Sequence, residues 1–114
     1  MSALPKSKEE LLSDSDLRWF ARDWAARISV SLKEIHVRGM SSKWASISST
    51  GRLTLSSELT TIPKRLVEYV IVHELVHLLA PNHGKVFKSF MLAYLPDWEQ
   101  RHQDIGHLTH VTST

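Results

Sequence analysis

The stretch VIVHELVHLLAPNHGKVF, residues 70–87, holds three of the chain's seven histidines and one glutamate in an otherwise apolar run. Ionisable groups are costly inside a buried helix unless something compensates them. His73 and His77 stand four residues apart, so on a helix their rings lie one turn apart on the same face. Two imidazoles on one face can share a metal ion, and H-E-x-x-H on a helix is an arrangement used for zinc hydrolysis. Glu74 lies about 100° further round. It is therefore suited to reach a metal-bound water without taking a coordination position.

A third ligand has to come from beyond the helix. Ala80, Pro81 and Asn82 can reverse the chain, and His83 follows them. Three neutral imidazoles plus water make an open tetrahedral zinc site, the catalytic kind, whose water has its pKa lowered towards about 7. The competing reading is a pair of histidines bonded to partners in a core helix. It leaves His83 unexplained, and also the absence of any other polar residue between Tyr69 and Asn82.

Outward from this stretch, Pro63 opens the helix, since its missing N–H does no harm there, with Thr60 or Thr61 as candidate caps. Leu66, Val67, Val70, Ile71, Val72, Leu75, Val76, Leu78 and Leu79 make the run from Lys64 to Leu79 apolar nearly all round, as in a helix buried on most sides. Pro81 stops it. A further helix runs from Lys85 to Leu95 and ends at Pro96, and Asp97 can cap a last one carrying Trp98, Ile105 and Leu108. Upstream, Leu17, Phe20, Ala21, Trp24 and Ile28 recur at helical spacing over Ser15 to Ser29, behind a cap at Ser13 or Ser15. Between these helices, KEIHVR, KWASIS and RLTLS have strand character. Gly51 supplies the positive φ of a hairpin between the last two, and the first strand joins through Gly39. A small three-stranded antiparallel sheet is expected.

The chain has 114 residues, enough for one core and too few for two. It contains no cysteine, which excludes disulfides and thiolate metal sites. No apolar stretch reaches the roughly 18 residues that span a bilayer, and MSALPKSKEELL lacks the apolar core of a signal peptide. A cytoplasmic, monomeric protein is expected. The formal charge of +2 comes from scattered lysines and arginines, so there is no clear nucleic-acid footprint.

Several stretches together resemble the YgjP-like zinc metallopeptidase domain, related to the SprT-like proteases. They are WASISSTGRLTLSSEL, IPKRLVEYVIVHELVHL, NHGKVF and PDWEQR, in that family's order and spacing, across about Leu17 to Ile105. Carried over residue by residue, the resemblance makes His73, His77 and His83 the zinc ligands and Glu74 the general base. The chain departs from the family at Ala45, Ile47, Ser56 and Lys88, positions that shape the sheet and the pocket wall.

Among the remaining candidates, His36, His102, His107 and His110 read as surface residues, although the helix of His102 can return towards the cleft. Tyr69 and Tyr94 sit at core spacing, which favours packing over an oxyanion role. Trp19, Trp24, Trp44 and Trp98 lie in or beside apolar stripes and read as core. The whole describes a flexible segment at 1–12 and an α+β, zincin-like single domain at 13–110, with an N-terminal helix, the sheet, the H-E-x-x-H helix and one or two closing helices. The expected function is zinc-dependent hydrolysis of peptide bonds, with a peptide or protein as substrate. A zinc-dependent hydrolase of nucleotide phosphoanhydrides, with Lys85, Lys88 and Arg101 as cations, and a zinc-stabilised interaction module are the alternatives.

Overall fold

The structure, a computed structural model, describes residues 11–108. The segment 1–10 and His110 lie outside the described residues. Ser13 starts α1 (Asp14–Ile28): its hydroxyl accepts the N–H of Asp16, and the Asp16 carboxylate accepts the N–H of Ser13. This capping box satisfies two backbone donors at once. Leu17, Phe20, Ala21, Trp24, Ala25 and Ile28 form the buried stripe of α1. Trp19 is 66% exposed, contrary to the core role expected of it. Two residues past Leu17 it has turned by about 200°, onto the opposite face. The helix closes with Ser29 in the left-handed region at φ 65°, as the N–H groups of Ser29 and Val30 bond back to Ala26 and Ala25.

Three strands follow: β1 (Glu34–Arg38), β2 (Ala45–Ile47) and β3 (Arg52–Ser56). The β2–β3 hairpin is antiparallel and turns through Gly51 at φ 96°. β1 instead pairs parallel to β3, with Ile35 beside Leu53 and Val37 beside Leu55, so the spatial order is β1-β3-β2. The wholly antiparallel sheet expected from the sequence is thus corrected to a mixed one. The reason is burial. Leu53 and Leu55 have no exposed surface, so β3 takes the centre, while Glu34, His36 and Arg38 of β1 suit an edge, where charges can stay in water.

A 3-10 turn (Ser57–Thr61) leads to α2 (Lys64–Val76). Fully buried Ser56 caps the turn, accepting the N–H of Glu58 and donating to the carbonyl of Met40. Pro63 is the residue just before α2, and no side chain caps it there. α2 ends at Val76, short of the expected Leu79, and the chain tightens: Leu78 N–H bonds Leu75 C=O and Leu79 N–H bonds Val76 C=O. Pro81 has no N–H, and its ring would clash with the carbonyl of His77 in a continued helix.

α3 (Lys85–Tyr94) and α4 (Trp98–Gly106) close the domain around α2, which touches α1, α3, α4 and β2. Asp97 precedes α4 without capping it, since its carboxylate takes Nε of Arg101 at 2.9 Å. Arg101 also donates to Glu68 at 2.7 Å, and Trp24 donates its indole N–H to the same glutamate at 3.0 Å. One carboxylate on α2 therefore joins α1 and α4. Leu17, Leu53, Leu55, Leu59, Ile71, Leu75 and Met91 make the fully buried centre.

Candidate metal centre

The buried face of α2 enters the core, and its other face opens onto a cleft. Tyr69, His73 and His77 recur every four residues, so they line up along that open face. After the tightened turn at Leu79, residues 80–84 bring His83 back over the helix end. Ligand atoms of His73, His77 and His83 all lie within 4.8 Å of one another. Nε2 of His77 and Nε2 of His83 are 3.0 Å apart. Two nitrogens on one tetrahedral zinc sit about 3.3 Å apart, so this spacing fits such an ion. Among the described residues no fourth histidine or carboxylate joins the group.

Glu74 falls where the helical rotation puts it. Its Oε2 is 3.4 Å from Nδ1 of His73, on the rim of the group and outside it. Burial, and then the like charge of His73 and His77, holds the pKa of His83 below that of an ordinary imidazole, with Glu74 opposing. A neutral ring is the form a metal binds.

Phe87, the second residue after the start of α3, is a site residue the sequence reading did not single out. It is buried, and its ring lies 5.2, 4.8 and 4.7 Å from the rings of His73, His77 and His83, centroid to centroid. It packs against all three imidazoles. The signal was present in the apolar spacing of α3 but reads there as ordinary core.

The histidines sit in a cavity of about 550 Å³. Lys43, Trp44, Ala45, Ser46 and Ile47 make the wall along β2, Tyr69, Val70, His73, Glu74 and His77 come from α2, and His102 and Ile105 come from α4. Of the surface histidines, His102 does return to the cleft, where its Nδ1 meets the Tyr69 hydroxyl at 2.7 Å. Burial, and then the charge of Glu74, pushes the Tyr69 phenol up to about 12. Tyr94 packs against Trp24 and Phe90 and is not part of the cavity.

Two solved structures share this fold. The metallopeptidase zymogen jannalysin of Methanocaldococcus jannaschii is 24% identical with a TM-score of 0.70, over 79% of this chain and 93% of that one. The metallopeptidase zymogen abylysin of Pyrococcus abyssi is 16% identical with a TM-score of 0.73, over 86% of this chain and 99% of that one. At these identities the likeness is one of fold. No curated protein matches the chain. The family described as "YgjP-like, metallopeptidase domain" matches residues 7–107, nearly the whole chain, with the candidate metal group inside that span: the chain belongs to the YgjP-like metallopeptidase domain family.

Proposed function

We propose that the protein is a zinc-dependent peptidase in which His73, His77 and His83 hold the metal and Glu74 is the general base. The observation that carries this reading is the group of three imidazoles, without a fourth protein ligand among the described residues, at one end of a cleft beside a carboxylate. When bound, zinc lowers the pKa of a water and polarises a carbonyl. The chain's own groups do the rest. Glu74 takes a proton as the water oxygen bonds to the carbonyl carbon, then passes it to the amide nitrogen as the C–N bond breaks. The products are a carboxylic acid and an amine, with no proton left over.

The substrate reading rests on the cleft's shape and lining. β2 is an edge strand, and the wall it forms offers backbone groups with which an extended peptide can pair, as in strand addition. Trp44, Ile47, Val70 and Ile105 make much of the lining apolar, which suits side chains of a peptide better than a polyphosphate. Phosphoanhydride chemistry needs several cations at the metal, and among the described residues Lys43 is the one lysine or arginine lining the cavity. Arg101 is instead held by Glu68 and Asp97, and neither Lys85 nor Lys88 is among the residues lining the cavity.

The test is a metal assay joined to a peptide-cleavage assay. Purified protein is expected to carry about one zinc per chain, and His73→Ala, His77→Ala and His83→Ala each to lose most of it, because three ligands set an open site. Full zinc occupancy in His83→Ala would remove that residue from the ligand set. Cleavage of nucleoside triphosphates but not of peptides, run side by side, would reverse the substrate reading.

A further inference from the structure

A second polar feature, which the metal group does not use, joins α2 to α4 and reaches the cleft through Tyr69 and His102. Glu68 and Tyr69 are adjacent on α2, Arg101 and His102 are adjacent on α4, and the pairs meet one to one: Glu68 with Arg101 at 2.7 Å and Tyr69 with His102 at 2.7 Å. Two neighbouring side-chain bonds fix both the position and the rotation of α4 against α2. Tyr69 is only 6% exposed, and Nδ1 of His102 is the hydrogen-bonding partner of its hydroxyl among the described residues. We take the pair in the tautomer in which the phenol donates and Nδ1 accepts. The ring's hydrogen then sits on Nε2, which has no hydrogen-bonding partner among the described residues. His102 lines the same cavity as His73, and Tyr69 lies between them, 5.6 Å from the ring of His73 and 5.7 Å from that of His102.

We propose that His102 donates its Nε2–H to the oxygen of the scissile carbonyl as negative charge develops there, and that Tyr69 is the positioning residue that fixes its tautomer and aim. This rests on the peptidase reading above. A donor already oriented before reaction loses no reorganisation energy when the charge appears, which is why such groups favour the transition state over the bound substrate. Tyr69 cannot fill the role itself, because its proton is committed to Nδ1. Lys43, the cation on the cleft wall, precedes an edge strand, and among the described residues no bond comparable to the Tyr69–His102 pair holds it there.

The experiment compares zinc-loaded wild type, His102→Ala, His102→Gln and Tyr69→Phe on a fluorogenic peptide that the wild type cleaves. Zinc content and melting temperature serve as controls. His102→Ala is expected to lower kcat by about 100- to 1000-fold, the usual loss for one oxyanion donor, with KM changed by less than about threefold. His102→Gln, whose amide N–H can reach the position of Nε2, is expected to recover part of that loss. Tyr69→Phe should lower kcat by about tenfold, as expected when a donor is kept but loosened. A second readout needs neither zinc nor turnover. Long-range proton–nitrogen NMR on the metal-free chain should find the His102 proton on Nε2 in wild type and shared between both nitrogens in Tyr69→Phe. A His102→Ala variant with wild-type kcat, or a neutral His102 carrying its proton on Nδ1 in wild type, would overturn the proposal. A zinc-loaded wild type that cleaves no peptide would instead overturn the peptidase reading, before any variant is compared.

Discussion

At the scale of single residues, the site depends on which side chains hold a proton and which hold a ring in place. Glu74→Gln keeps volume and hydrogen bonding but cannot accept a proton. It is expected to retain zinc and fold while losing on the order of a hundredfold or more in kcat. Loss of zinc in that variant would make Glu74 a ligand. Phe87 packs against all three imidazoles, so Phe87→Ala should cost about 3–5 kcal/mol through the cavity it leaves. It should also weaken zinc retention against a competing chelator, which a titration reads directly. His83 adds a pH dependence whose sign follows from its shift. Its folded pKa lies below the unfolded value of about 6.5, because burial and the neighbouring imidazoles disfavour the charged ring. In the metal-free chain its contribution to stability is therefore complete above that unfolded value and lost as the pH falls through the folded pKa. In the proposed site zinc would compete with the proton for the same nitrogen, so metal release should follow in acid. Zinc content after dialysis at pH 7.5, 6 and 5 checks this. Equal retention at all three would remove histidine protonation as the control.

At the scale of elements, two junctions decide whether the cleft has its walls. Gly51 turns the β2–β3 hairpin at φ 96°, and a Cβ there would come within 2.7 Å of the carbonyl oxygen of Ser31. Gly51→Ala should destabilise by about 1–3 kcal/mol, from left-handed strain and the clash together. Chemical denaturation measures that cost directly. The other junction is Glu68, which accepts from both Trp24 and Arg101. Glu68→Gln removes one of the two carboxylates on the Arg101 guanidinium and leaves only Asp97, at a cost of about 1–3 kcal/mol. The more telling readout is hydrogen exchange, which should speed up in α4 beyond the rest of the molecule if this bond holds it against α2. Uniform exchange through all helices would show the bond to be incidental.

At the scale of the whole molecule, the core and the candidate metal cleft are built from different residues. Leu17, Leu53, Leu55, Leu59 and Ile71 form a core from α1, β3, the 3-10 turn and the inner face of α2, and none of them lines the metal cleft. Chelation at pH 7.5 should lower the melting temperature if the proposed zinc is bound, because a ligand held by the native state alone stabilises it. The helical circular dichroism at 25 °C should survive. An unchanged melting temperature in protein confirmed metal-free would mean that zinc does not offset the half-buried histidines. Unfolding at 25 °C would instead make the metal part of the fold. Among the described residues no helix is long and apolar enough to cross a membrane.

Local rules placed α1, α3 and the start of α2 from the sequence, because capping residues, prolines and apolar spacing act within a few residues of one another. The three histidines and Glu74 were legible for the same reason: helical spacing puts two rings on one face, and a short proline-containing turn can return only so far. The sheet order was not legible. Whether β1 pairs parallel or antiparallel depends on which strand the core buries, and Leu53 and Leu55 decide that only when packed against helices distant in sequence. Nor does spacing decide the place of Trp19, since one helical step from buried Phe20 carries an aromatic ring out of the apolar stripe into water. Phe87 beneath the imidazoles, and Tyr69 with His102, join residues of α2 to α3 and α4. Such contacts exist only once those helices are packed, and no spacing within one segment encodes them.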